Sequence, residues 1–254
     1  MKTQIPILAE TDLLILGGST GAVEAAIAGR AAGAKVFLAT PFTYVGEDVC
    51  ANLRLWLDRD QTPQTDLAKE VFGDCLAQDD PPTPMSIKYK LEQALVDAGV
   101  ELLYMTYPGW LLRDDSDQVA GAVVANRSGF QVITAKAVID ATDRALAARK
   151  TAATFRELPA GTYSFRRTVV GGEAVEIGGA AVKELPGIVR IEDREYTALE
   201  YQLPLELADA SAASFNAVEV RARLLTWHPD QMLASDRLFA LLPDRLDTGA
   251  QQTA

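Results

Sequence analysis

Gly17, Gly18, Ser19, Thr20, Gly21 and Ala22 follow one another between the apolar run Asp12–Leu16 and an alanine-rich stretch. A row of this kind can hold a phosphate. The first glycine makes a tight turn, the second position lets backbone approach a pyrophosphate, and the third must be small so that helix and strand can pack. Gly17 suits the first role and Ala22 the third, while Ser19 stands at the second. Amides at the start of the following helix face the anion, where the helix dipole favours negative charge. The same row also serves as a plain strand-to-helix turn, its glycines needed only for tight geometry.

Other residues have types that could do chemistry. Cys50 follows Gly46 closely, but a dithiol mechanism needs a second cysteine about one turn on, and Leu55 and its neighbours supply none. Cys75 falls on a different predicted element, so Cys50 reads as a packing thiol, or as a reactive one if a helix start lowers its pKa. Glu47 and Asp48 sit at a predicted helix start, where acids commonly serve the dipole. Arg54 is the first candidate to hold an anionic or polar substrate, and Trp56 reads as core. His228 is the only histidine and precedes Pro229, so it ends a helix, or it takes a proton as imidazole can. One histidine and two cysteines without zinc spacing make no metal site.

These residues need elements to position them. Asp12–Leu16 reads as a strand buried on both faces, Thr20 to about Ala32 as a helix stopped by Gly33, and Lys35–Thr40 as a second buried strand closed by Pro41. That is a βαβ unit, with parallel strands and a right-handed crossover. Helices are expected over Val49–Leu57, Thr65–Cys75 and Pro84–Ala98, with loops over 58–64 and 78–84 and a strand over Val100–Met105. Val119–Asn126 and Gln131–Thr134 read as a small antiparallel excursion turned at Ser128 and Gly129, and Lys136–Thr142 as a further buried strand. Between Gly161 and Leu207 apolar and polar residues alternate as in antiparallel strands; Ala210–Leu225 reads as a helix.

The 254 residues carry 35 acidic and 24 basic side chains, a net charge of −11, with no basic cluster for a phosphate backbone. Nucleic acid is therefore not an expected partner. Hydrophobic residues at 48% and charged residues at 23% suit a globular chain with a buried core. No run of about 20 apolar residues spans a membrane, and about ten residues before the first strand leave no room for a cleaved leader. The cytoplasm is the expected compartment.

Three segments together resemble a family: Asp12–Ala22 (DLLILGGSTGA), Tyr44–Cys50 (YVGEDVC) and Ala137–Asp143 (AVIDATD). They are similar to the FAD-dependent oxidoreductases of the glutathione-reductase-like class. The resemblance covers residues 10–150 and implies an α/β fold: a Rossmann-like FAD-binding domain over 1–150 with a parallel sheet and β-meander excursion. A partial, strand-rich substrate domain with a helix over 151–243 and a polar tail over 244–254 would follow. It implies FAD with its pyrophosphate at Gly17, Gly18 and Ser19, its ribose near Thr40, its flavin end near Gly46 and Glu47, and Ala141 and Thr142 beside its chain. The implied activity is hydride transfer from a small organic substrate to flavin. Thr40 stands where an acid usually holds the ribose, Asp143 and Arg144 where many members have Gly-Asp, and the expected later FAD-contacting segment is not seen before Ala254. Either the chain is a truncated form, or a partner chain supplies that segment, or the FAD site is vestigial; a homo-oligomer or a completing partner chain is the expected assembly. The alternatives are an NAD-binding oxidoreductase and a degenerate, non-catalytic flavin-fold subunit or binding protein.

Overall fold

Strand β1 (Ile7–Leu16), helix α1 (Thr20–Ala31) and strand β2 (Val36–Ala39) form the expected βαβ unit, with β1 and β2 parallel. This computed structural model describes residues 4–55, 57, 61–73 and 81–246. The chain continues through α2 (Glu47–Cys50), α3 (Asp66–Phe72), α4 (Pro84–Asp97), β3 (Glu101–Leu103), β4 (Tyr107–Arg113), β5 (Val119–Asn126) and β6 (Gly129–Asp140). Single 3-10 turns at Asp143–Ala145 and Ala148–Lys150 lead to β7 (Gly161–Gly171), β8 (Ala181–Glu184), β9 (Val189–Ile191), β10 (Arg194–Tyr196), β11 (Ala198–Leu207), α5 (Ala212–Leu225) and β12 (Gln231–Ala234). No helix among the described residues is long and apolar enough to cross a membrane.

Contacts divide the chain into two units, Met1–Glu47 with Lys88–Phe155 and Leu246–Ala254, and Asp48–Ile87 with Arg156–Arg245. Residues 48–87, read above with the first block, thus group with the second. The first unit is built on a six-stranded sheet of order β3-β2-β1-β6-β5-β4. β1 is parallel to β2 and β6, and β2 to β3, whereas β5 runs antiparallel to β4 and β6. Leu14, Leu16, Phe37, Ala39, Ala122, Val124, Ile133 and Ala135 form its core. Helix α1 lies close on the sheet because its inward face is small: Ala22 and Ala26 are fully buried, and a Cβ on Gly29 would come within 2.8 Å of Leu13 Cδ2.

The second unit carries a four-stranded antiparallel sheet of order β12-β7-β11-β8 and the hairpin β9-β10. Phe165, Val169, Tyr201, Leu203, Leu205 and Leu207 pack against Val218 and Ala222 of α5. The α/β class and the antiparallel later region agree with the sequence reading.

Several element boundaries differ. The excursion and the strand Lys136–Thr142 are not separate: β6 is one strand of 12 residues that pairs with β5 over Gly129–Thr134 and with β1 over Val132–Asp140. No proline or glycine interrupts it after Gly129, so it bridges both neighbours in one sheet. β4 was missed because Pro108 and Gly109 break its pattern; on an edge strand with a register shift between Pro108 and Trp110 they are tolerated. The helix expected over Val49–Leu57 is only the four residues of α2. Leu53 takes φ +51°, and Leu53 and Leu55 are buried, so side-chain burial sets this segment rather than helix propensity. Edge strand β12 was also unforeseen. Trp56, Cys75, the end of the α3 prediction and residues 247–254 lie outside the described residues.

Candidate functional site

Register brings the predicted residues together. Leu16 is level with Ala39 on one side and with Asp140 on the other. The next residue of each strand, Gly17, Thr40 and Ala141, therefore emerges at one carboxyl edge of the parallel sheet. Hydrogen bonds fix it: Gly17 N–H donates to Ala39 O at 2.8 Å, Ala141 N–H to Leu16 O at 2.8 Å and Thr40 N–H to Leu103 O at 3.0 Å. β1 is also where the connections depart to opposite sides, β2 on one hand and β6 on the other. Ligands of open α/β sheets bind in the crevice outside such a point.

At Gly17 only glycine fits. Its φ is +115°, and a Cβ would stand 2.2 Å from Ala141 O and 2.8 Å from Thr142 N. Gly18 is enclosed as well, since a Cβ there would lie 2.7 Å from Thr40 Oγ1 and 3.1 Å from Glu47 Oε2. Gly46, with φ +82°, donates its N–H to Gly18 O at 2.7 Å. Ser19 is the N-cap of α1, its hydroxyl accepting from Ala22 N–H at 3.2 Å. Beyond it the turn opens, and Gly21 is exposed with only Ser19 Oγ, at 3.9 Å, near an added Cβ. Gly17, Gly18, Ser19, Thr20, Gly21, Ala22, Thr40, Gly46, Glu47, Ala141 and Thr142 thus form one cluster.

The turn and helix start fit a pyrophosphate: close backbone, an open face at Ser19–Gly21 and a helix dipole. The ribose end is different. Thr40 is fully buried, and its hydroxyl accepts from Phe42 N–H at 3.3 Å. Glu47 is 4% exposed, and its Oε1 accepts from Gly18 N–H at 3.2 Å, placing a carboxylate on an amide of the turn itself.

Asp140 was not singled out from the sequence. One carboxylate oxygen accepts from Thr142 N–H at 3.0 Å and Thr142 Oγ1–H at 2.6 Å, the other from Ala148 N–H at 2.6 Å. It therefore holds the turn whose backbone presses on Gly17. That turn carries two consecutive left-handed residues, Arg144 (φ +58°) and Ala145 (φ +52°). The available signal was an acid at the end of an apolar strand, directly before a small residue and a threonine.

The catalytic candidates Cys50, Arg54 and His228 belong to the second unit. Cys50 is buried, its thiol 3.6 Å from Pro84 O, which suits packing. The Arg54 guanidinium lies 4.0 Å from the centre of the Phe239 ring. His228 falls after α5, which ends at Leu225 with Thr226 as its cap; its Nδ1 accepts from Asp230 N–H at 3.2 Å within a turn. Among the described residues no three His, Cys, Asp or Glu side chains gather as metal ligands.

The FAD dependent oxidoreductase family matches residues 12–160, more than half of the chain. No curated protein is similar enough to count as a match. Among solved structures, CabE, an aromatic hydroxylase from angucycline biosynthesis, is 13% identical with a TM-score of 0.56, over 95% of this chain and 54% of its own. OxyS anhydrotetracycline hydroxylase from Streptomyces rimosus is 13% identical with a TM-score of 0.53, over 95% and 55%. The p-nitrophenol 4-monooxygenase PnpA from Pseudomonas putida is 15% identical with a TM-score of 0.52, over 94% and 69%. At these identities the likeness is one of fold, and the chain spans about half the length of the first two.

Proposed function

Because the chain belongs to the FAD dependent oxidoreductase family, we propose that it binds FAD at the Gly17–Ala22 turn and catalyses hydride transfer from a small organic substrate to the bound flavin. The flavin would supply the two-electron chemistry; the chain supplies binding and orientation. Backbone at Gly17 and Gly18 approaches the pyrophosphate, and the start of α1, capped by Ser19, stabilises its charge. Asp140 holds Ala141 and Thr142 beside the cofactor chain. The observation that carries this reading is Gly17, where left-handed backbone and contact with Ala141 together demand glycine at the sheet edge.

Ser19→Asp tests it. Aspartate caps a helix as well as serine does, so the fold is kept while a carboxylate meets the pyrophosphate. Purified wild type should show flavin absorption and release FAD on heating, and the variant should be colourless yet folded. Flavin retained equally by Ser19→Asp sinks the assignment. A second reading, a non-catalytic flavin-fold subunit, draws on the Glu47 carboxylate at the Gly18 amide and the buried Thr40 hydroxyl. Wild type that stays colourless with added FAD would favour it.

A further inference from the structure

Arg54 is not alone at Phe239. Residue 239 pairs with Arg166 of β7 through an isolated antiparallel bridge, Arg166 N–H donating to Phe239 O at 2.7 Å and Phe239 N–H to Arg166 O at 3.0 Å. Residues exchanging both bonds stand directly opposite and their side chains share a face. The Arg166 guanidinium accordingly lies 5.9 Å from the ring centre, with that of Arg54 at 4.0 Å. The backbone approaching from the other side is anchored too, since Arg54 N–H donates to Val49 O at 3.0 Å and Arg237 N–H to Ala51 O at 3.1 Å. Two half-buried cations therefore converge on one aromatic ring.

A ring attracts a cation placed within about 6 Å of its centre, but two cations drawn to the same ring repel each other. Arg156, Arg194, Arg221 and Arg245 of this unit are exposed to solvent, and three further arginines have donors engaged. Arg167, the next residue along β7, gives Nε–H to Thr226 Oγ1 at 3.0 Å and Nη1–H to Ser235 O at 2.7 Å. Arg190 meets Glu195 at 3.2 Å, and Arg223 meets Glu219 at 3.6 Å. Among the described residues neither the Arg54 nor the Arg166 guanidinium has a hydrogen bond or a carboxylate; each has only the ring. Half-buried planar donor forks held in place with nothing to bind are complementary to a carboxylate, which accepts two parallel N–H bonds from a guanidinium.

We propose that Arg54 and Arg166, fixed around Phe239, form a binding site for the carboxylate group of a small organic ligand. That this ligand is the substrate rests on the oxidoreductase reading above; the site itself stands on its own geometry. An acidic chain of net charge −11 repels anions in general, so a carboxylate held here is held by these two forks.

The full chain, with and without added FAD, is titrated calorimetrically with benzoate, succinate and inorganic phosphate at low ionic strength. One equivalent of benzoate or succinate is expected to bind. Arg54→Gln and Arg166→Gln should each weaken it at least about tenfold, as loss of one charge-assisted fork requires. Arg54→Lys and Arg166→Lys, which keep the charge and the aliphatic stem, should weaken it as well because a point charge cannot replace a fork. A wild type that takes up neither carboxylate, affinity unchanged by the Gln and Lys variants, or tighter binding of phosphate each overturns the proposal. Flavin retention is read separately by absorbance. Carboxylate binding without flavin would leave the site and remove its role in oxidation; flavin without carboxylate binding would remove the site alone.

Discussion

The carboxylate of Glu47 accepts a hydrogen bond from the amide of Gly18 at 3.2 Å, within the turn proposed to hold a pyrophosphate. An anion thus already lies on a donor suited to an anion. Glu47→Gln keeps the volume and an acceptor oxygen while removing the charge. At a separation of about 4 Å, relief of like-charge repulsion should tighten FAD binding at least about fivefold. Flavin fluorescence titration checks this. Weaker binding in the variant would mean instead that Glu47 holds the cofactor directly.

Gly17 and Gly33 both have positive φ, +115° and +86°, but an added Cβ at Gly33 meets nothing within 4 Å. Gly33→Ala should cost about 1–2 kcal/mol, the strain of a left-handed alanine. Gly17→Ala adds the clash with Ala141 O and should cost a further ~2 kcal/mol at least, with flavin retention lost. Urea denaturation of the two variants separates backbone conformation from close approach. Equal losses would remove the contact argument.

Asp209 precedes α5 and accepts from Ser214 Oγ–H at 2.6 Å and Ser211 N–H at 2.8 Å. The Ser211 hydroxyl first, then these two donors, lower its pKa from 3.8 to about 2. A depressed acid stabilises the folded state fully above its unfolded value and loses that contribution as pH falls through its folded value. Wild type and Asp209→Asn should therefore differ in pH dependence only between about pH 4 and pH 2. Thermal unfolding followed across that range reads it, and parallel curves would show that the carboxylate is not linked to folding.

Cys50 is 5% exposed. A thiol reagent applied to the native protein should leave residue 50 unmodified, as peptide mass spectrometry would show, and Cys50→Ala should keep any turnover within a few-fold. Rapid native-state labelling at residue 50, or complete loss of turnover, would make that thiol a reactive group.

The βαβ unit was legible in the sequence because its signals are local. Asp12–Leu16 has the form of a buried strand, Gly17 and Gly33 punctuate the helix, and small residues at 22, 26 and 29 allow its close packing. The Gly17–Ala22 turn was legible for the same reason, whereas Gly46, Glu47, Ala141 and Thr142 were implied only by the family resemblance. Asp140 was overlooked, since its importance lies in reaching Ala148 across eight residues.

What only the tertiary structure decided is non-local. The level ends of β1 and β6 come from pairing residues more than a hundred positions apart, and that register, not composition, sets Gly17 against Ala141. Burial of Leu53 and Leu55 overrode the helix expected after Val49. That the buried Thr40 hydroxyl accepts from the Phe42 amide is likewise a matter of the folded chain. Arg54 gained Arg166 as a neighbour through a two-residue bridge at Phe239 that has no pattern of its own. Propensity and spacing act over a turn or a strand; which side chains meet depends on register and burial, which exist only once the chain has folded.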